Sequence, residues 1–265
     1  MSRIFITGAS SGIGLATATA LLARGDEVWG TSRSGTSLPK HERFHAVQLD
    51  LERADEVELS FRRALTEAGH FDVVINNAGS GHFGPAERLS QDEISRQFQV
   101  VFFSHVRLMQ LALGEMRMRD SGRIINVTSL AALLPVPFMA AYNAAKSAMA
   151  SFTMCLQIEL GHGNVRIIDV QPGDIRTNFN DAVKRGSDPV NQQRVDKTWG
   201  TVDKNMKAAP DPEVVARTIL KLIDQKNPPR QVVVGDVFQA KIAPFIFRFL
   251  PQRTRIWGLK MYYGL

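Results

Sequence analysis

The sequence predicts an α/β chain folded as one doubly wound, mostly parallel sheet with helices on both faces. Three observations carry this. Short β-rich runs alternate with helical stretches from Arg3 to Val234, the pattern of parallel strands joined by crossover helices. A glycine-rich turn, Thr7-Gly8-Ala9-Ser10-Ser11-Gly12-Ile13-Gly14, separates the first strand from the first helix. The run Phe71–Asn76 is apolar and β-branched, as befits a strand buried on both faces. The 265 residues, 44% hydrophobic and 22% charged, suit a single domain with a sizeable core. No internal repeat or linker divides the chain.

Arg3–Thr7 is the first strand, and Ala16–Ala23 behind it is strongly helix-forming. A glycine turn between strand and helix lets backbone amides approach a phosphate, and the helix amino terminus favours negative charge. Gly8, Ser10, Ser11, Gly12, Ile13 and Gly14 are therefore candidate cofactor-binding residues. The spacing is G-x-x-x-G-x-G rather than G-x-G-x-x-G, and a ligand-free flexible turn is the competing reading. Arg24-Gly25 stops the helix. Glu27–Ser32 is the second strand, followed by Arg33. At this point of a dinucleotide-binding βαβ unit a carboxylate holds the ribose hydroxyls, whereas an arginine suits a 2′-phosphate. Arg33 thus favours NADP(H) over NAD(H).

Phe44–Leu49 is the third strand and ends at Asp50-Leu51, with a helix over Glu52–Ala68. Phe71–Asn76 stops at Asn77-Ala78-Gly79, beyond the carboxyl end of a parallel strand, where ligands bind. Ser90 and Glu93 form a capping box for a buried helix running to about Met118. Arg123–Val127 is a strand that delivers Thr128 and Ser129, and the next helix reaches about Leu160. Val165–Val170 ends in Gln171-Pro172-Gly173. From Asn178 to Ala209 the pattern fades, and a long irregular stretch in a compact domain is a substrate lid or binding loop; we assign this to 178–210. Asp211-Pro212 caps a helix to about Gln225, and Gln231–Val234 is the last strand.

The chemistry concentrates in Ser129–Lys146. Tyr142 and Lys146 share one helix face, four residues apart. A tyrosine phenol free in water ionises near pH ~10, and a neighbouring cation or hydrogen-bond donor favours its phenolate. With the Ser129 hydroxyl alongside, this is an acid/base device for a proton on an alcohol oxygen. An amphipathic helix with a half-buried tyrosine and a snorkelling lysine is the alternative.

Composition narrows the class. The single cysteine, Cys155, excludes a disulfide scaffold. No basic n-region precedes an apolar segment, and no apolar run approaches the roughly 20 residues that span a bilayer, so a cytoplasmic protein is expected. The charge of +6 suits an anionic partner. Nucleic acid is the weakest choice for it, since no aromatic-basic recognition motif occurs, and no metal site is expected.

Taken together and in order, Thr7-Gly8-x-x-x-Gly12-Ile13-Gly14, Asp50-Leu51, Asn76-Asn77-Ala78-Gly79, Ser129, Tyr142-x-x-x-Lys146 and Pro172-Gly173 resemble the short-chain dehydrogenase/reductase family over about residues 3 to 235. Gly81–Glu87 looks closest to the hydroxysteroid and retinol dehydrogenase-like subgroup. The resemblance implies a Rossmann-type fold and an NADP(H)-dependent oxidoreductase, a carbonyl reductase or alcohol dehydrogenase. An NAD-dependent dehydrogenase and a catalytically weakened cofactor-binding protein are the alternatives. It implies Tyr142 as the acid/base and Ser129 as the hydrogen-bond partner of the substrate oxygen. Lys146 would lower the Tyr142 pKa and hold the nicotinamide ribose. Gly8, Gly12 and Gly14 would line the pyrophosphate turn, Asp50 would bond the adenine amino group, and Leu51 would lie beside the ring. Asn77, Ala78 and Gly79 would line the cleft, and Pro172, Gly173, Ile175 and Thr177 would wrap the nicotinamide end. Family members commonly form homodimers or homotetramers through the helices that correspond here to 90–118 and 141–160.

One departure stands out. Val101 takes the place of a family asparagine thought to support a water that connects the lysine to solvent, so the proton relay is in doubt here, although the Val101 carbonyl could still hold that water. The tail, Lys241–Leu265, holds five basic residues, six aromatics and no acid. Either it covers the substrate cleft or a subunit contact, or it rests on an anionic membrane. With Phe138 and Met139 it suits a hydrophobic substrate.

Overall fold

The computed structural model describes residues 1–35, 37–161 and 163–265. Its strands are β1 (Arg3–Ile6), β2 (Glu27–Ser32), β3 (Phe44–Gln48), β4 (Val73–Asn76), β5 (His82–Phe83), β6 (Gly122–Val127), β7 (Val165–Pro172), β8 (Lys184–Arg185) and β9 (Gln231–Val234). Seven of them form one parallel sheet in the order β3-β2-β1-β4-β6-β7-β9. The strand order reverses between β1 and β4, so a crevice opens beyond their carboxyl ends.

The sheet is covered on both faces because its strands alternate. Phe5, Val74 and Ile124 pack with α2 (Ala54–Ala68), α4 (Ser104–Met118) and α5 (Ala140–Glu159). Ile4, Ile6, Ile75 and Ile125 pack with α1 (Gly12–Arg24) and α8 (Glu213–Asp224). Successive side chains point to opposite faces, and both sets are apolar, as predicted for buried parallel strands. Gly25 ends α1 in the left-handed region, with φ 96° and its amide donating to Leu21 and Leu22 carbonyls. Ser90 caps α3 (Gln91–Phe98) through a full capping box.

Three expectations need correction. The helix expected over 90–118 is α3 and α4 joined by a wide turn over Gln99–Phe103, in which the Ser104 amide donates to the Gln99 carbonyl five residues back. Asp211 does not cap α8 with its side chain; its carboxylate is engaged by Arg176. The 178–210 segment is not irregular: it holds α6 (Phe179–Ala182), β8 and the long α7 (Gln192–Ala208). α7 has no side-chain cap and carries polar residues at most positions, which hid its period. Its inward positions, Val195 and Trp199, join Phe83, Met139 and Val183 in a separate apolar cluster above the sheet. β5 and β8 pair in parallel, tying this helical flap to the main body. The tail forms α9 (Ala243–Phe249) and α10 (Gln252–Tyr263), broken at Pro251 as that residue requires.

Candidate active site

A cavity of about 680 Å³ lies over the carboxyl ends of β1, β4, β6 and β7. Every cofactor-binding and catalytic residue expected from the sequence lines it except Gly14. Gly14 works from behind: a Cβ there would lie 2.0 Å from the Gly8 carbonyl oxygen, so only glycine lets α1 approach the turn. Gly8 adopts φ +71°, a conformation side chains resist. Its amide donates to Thr31 Oγ1 at 3.2 Å, while Ser10, Ser11, Gly12 and Ile13 face the cavity at the amino terminus of α1.

Asn77 faces this turn too, but its side chain serves the fold. Its Nδ2 donates to the Thr7 carbonyl at 2.9 Å, and the Asn77 and Ala78 amides donate to Thr7 Oγ1 at 2.9 and 3.0 Å. Thr7 Oγ1 also lies 3.2 Å from His105 Nε2. His105 Nδ1 lies 3.3 Å from the Val101 carbonyl, which can only accept, so Nδ1 carries the proton and Nε2 accepts from the Thr7 hydroxyl. Burial, then the charge of Lys146, push the His105 pKa down to about 3 against the Val101 hydrogen bond. The imidazole is neutral. The Val101 side chain is fully buried in the apolar core, and the carbonyl expected to remain available to water is engaged by His105.

Ser129 follows β6, where its Oγ accepts from the Ala131 amide at 3.0 Å. Its hydroxyl also hydrogen-bonds Tyr142. Tyr142 stands half-buried in the first turn of α5, with its ring 5.6 Å from that of Phe179. Burial pushes its pKa up to about 12; the Ser129 hydrogen bond opposes this and the Asp174 carboxylate adds to it. The net lowering expected from the sequence does not result, because burial decides the direction of the shift. Lys146 Nζ lies 5.9 Å from the Tyr142 ring centroid and donates to the Val127 carbonyl at 2.8 Å. Burial brings the Lys146 pKa down to about 8, and the Asp169 carboxylate pulls it back upward. Asp169 itself accepts from Thr128 Oγ1 and from Gln171 Nε2. Among the described residues no group of metal-ligating side chains occurs.

Beyond β2, Arg33 is exposed on the cavity rim and makes no ion pair among the described residues. Its carbonyl accepts from Gln48 Nε2 at 3.3 Å. Asp50 accepts from the Glu52 amide at 3.0 Å, and Leu51 is buried beside it. Pro172, Gly173, Ile175 and Thr177 close the far end. Sequence reasoning missed Asp169, His105, Asp174 and Gln239. Asp169 carries a signal, a lone acid inside the apolar run Val165–Val170; Asp174 follows the Pro172-Gly173 pair; the other two carry none.

These residues fit a dinucleotide. A glycine turn that a Cβ would fill, a helix amino terminus and an unpaired guanidinium on the rim match a pyrophosphate and a further anionic group. Known proteins agree with this fit. A reductase of Bacteroides thetaiotaomicron named 3-ketodihydrosphingosine reductase is 31% identical over 99% of this chain and 98% of its own. A short-chain dehydrogenase structure from Streptomyces avermitilis superposes with a TM-score of 0.82 at 26% identity, covering 98% of this chain and 94% of that one. An alcohol dehydrogenase from Thermococcus sibiricus, solved with 5-hydroxy-NADP, gives 0.74 at 26% identity, covering 90% and 97%. The short chain dehydrogenase family model matches residues 2–188, and this chain belongs to that family of oxidoreductases.

Proposed function

We propose that the chain is an NADPH-dependent reductase of a ketone carried on a hydrophobic substrate, with Tyr142 giving its proton to the carbonyl oxygen. The observation that carries this is the meeting of Ser129, Tyr142 and Lys146 at one wall of the cavity. With its pKa raised to about 12, Tyr142 is a phenol at neutral pH and can donate. The Ser129 hydroxyl donates to the phenol oxygen and so stabilises the charge that develops there as the proton leaves. The Lys146 cation supports the same charge, and the Asp169 carboxylate behind it keeps Lys146 protonated.

The nicotinamide supplies the hydride when bound. The glycine turn and the amino terminus of α1 would hold its pyrophosphate, Pro172 to Thr177 its nicotinamide end, and Arg33 its 2′-phosphate. The absence of a carboxylate after β2 supports NADPH over NADH. The substrate half of the cavity is lined by Met139, Phe179, Phe247, Leu250 and Leu259, which suits an aliphatic chain. The name of the Bacteroides relative makes 3-ketodihydrosphingosine the first compound to try.

The test is loss of reduced-nicotinamide absorbance with NADPH or NADH across long-chain and short-chain ketones, 3-ketodihydrosphingosine among them. Turnover that prefers NADPH and long-chain ketones, and that falls about 10²–10⁴-fold in Tyr142→Phe, is the expected result. Turnover retained in Tyr142→Phe would overturn the assignment.

A further inference from the structure

Helix α10 is divided along its length. Thr254, Gly258, Leu259, Tyr262 and Tyr263 line the cavity, whereas Arg253, Trp257, Lys260 and Met261 lie exposed and outside its lining. The two sets alternate with the three-to-four residue period of a helix. α9 repeats the arrangement: Ala243, Phe247 and Leu250 border the cavity, and Phe245 and Phe249 project outward, 68% and 70% exposed. Trp257 and Met261 are each 64% exposed. The tail therefore has two apolar faces, one over the cavity and one with no covering among the described residues, and they meet at the cavity rim.

The outer face is cationic at its edges. No acidic side chain occurs between residues 237 and 265. Lys241, Arg248, Arg253 and Lys260 are all exposed, and none makes an ion pair among the described residues. Arg255 is used differently: its Nε donates to the Leu250 carbonyl at 2.7 Å and its guanidinium lies 4.9 Å from the Phe247 ring, stapling α9 to α10. Arg255 thus ties the two helices together, while the other four cations pair with no acid among the described residues.

We propose that this outer face docks on the surface of an anionic lipid bilayer. Exposed phenylalanines and a tryptophan flanked by unpaired lysine and arginine match the chemistry of that interface. A second copy of the chain fits less well, because a two-fold contact would set the same cations against each other. Docking in this way sets the cavity rim against the lipid, so that a hydrophobic ketone reaches Tyr142 without crossing water. That last consequence rests on the proposed reductase activity; the docking does not.

The experiment is vesicle co-sedimentation of the full chain without cofactor or substrate. Vesicles of phosphatidylcholine alone are compared with vesicles containing phosphatidylglycerol, at low and high salt. We expect sedimentation with the anionic vesicles that weakens as salt rises. The triple variant Phe245→Ser, Phe249→Ser, Trp257→Ser is expected to bind about tenfold less, and Arg248→Glu, Arg253→Glu, Lys260→Glu to lose the preference for anionic lipid. All six positions are exposed and outside the cavity lining, so both variants should keep the wild-type melting temperature and turnover of a soluble ketone. Wild-type protein that stays in the supernatant at low salt overturns the proposal. So does a wild-type oligomer that the aromatic variant converts to monomer without any vesicle binding, which would give the face to a second copy. Because binding is scored without turnover, its failure is separate from a failure of the reductase assignment.

Discussion

His105 Nε2 lies 3.2 Å from Thr7 Oγ1, and through that contact a helix on one face of the sheet orients the carboxyl end of its central strand. The Thr7 hydroxyl donates a hydrogen bond to His105 Nε2 and accepts from the Asn77 and Ala78 amides. The imidazole must be neutral for this, and burial keeps it so. The folded pKa, about 3, is below the ordinary 6.5. Between those values the unfolded chain binds the extra proton, so this group's stability is complete above pH 6.5 and is lost as pH falls toward 3. His105→Leu is expected to reduce the acid-side slope of unfolding free energy by up to about 1.4 kcal/mol per pH unit. Denaturant titrations at a series of pH values check this, and an unchanged slope would reject it.

Lys146 is the second titrating group. Its folded pKa, about 8 against 10.5, means that the cation supporting Tyr142 is lost above about pH 8. Turnover should fall on an alkaline limb near that pH. The Asp169 charge pulls the lysine pKa upward without a direct ion pair, so Asp169→Asn is expected to move the limb to lower pH and, by disturbing the bonds from Thr128 and Gln171, to lower the melting temperature. A pH profile of kcat, taken with the melting temperature, separates the two effects. Lys146→Arg, which does not titrate in this range, should lack the limb altogether.

Arg33 offers the cofactor test. It is the one cation on the rim beyond β2 among the described cavity-lining residues, and it makes no ion pair among them. Arg33→Asp should weaken NADPH by about 10–100-fold, the worth of one or two charge-assisted hydrogen bonds, and leave NADH unchanged or improved. Titration of both nucleotides by fluorescence reads this directly. An unaltered NADPH preference would remove Arg33 from the 2′-phosphate site.

The central sheet was legible because its strands are apolar on both faces and its turns carry glycine where no other residue fits, as at Gly8 and Gly14. The lining of the cavity was legible for the same reason: its residues sit at strand ends, which the pattern locates. What escaped were contacts between distant segments. Nothing local in Ser104-His105-Val106 marks His105 as the partner of Thr7, 98 positions away. α7 escaped because its helical register is set by a few inward residues, Val195 and Trp199, against a cluster that forms only in three dimensions. The sign of the Tyr142 shift was also beyond the sequence, since motif spacing places Lys146 nearby but does not report how deeply the phenol is enclosed.

The start of the tail is fastened to the site through Gln239. Gln239 Oε1 accepts from the Asp174 amide at 2.9 Å and its Nε2 donates to Asp174 Oδ2 at 2.6 Å. Both bonds close a ring between the Pro172-Gly173 turn and the start of the tail, and Tyr262 adds a contact with Asn205 at 2.9 Å. A Cβ on Gly173 would come within 2.4 Å of Gln239 Oε1, so even alanine there would push the latch open. Gln239→Ala should therefore free the segment from 238 onward while leaving the seven-stranded sheet intact. The expected signs are faster proteolysis confined to the tail and a raised KM for long-chain ketones, with little change for short ones. Gln239→Glu replaces the donor with a carboxylate facing Asp174 and should be worse than alanine near neutral pH. Equal proteolysis of wild type and both variants would show that the tail is held elsewhere, by the packing of α10 on α7.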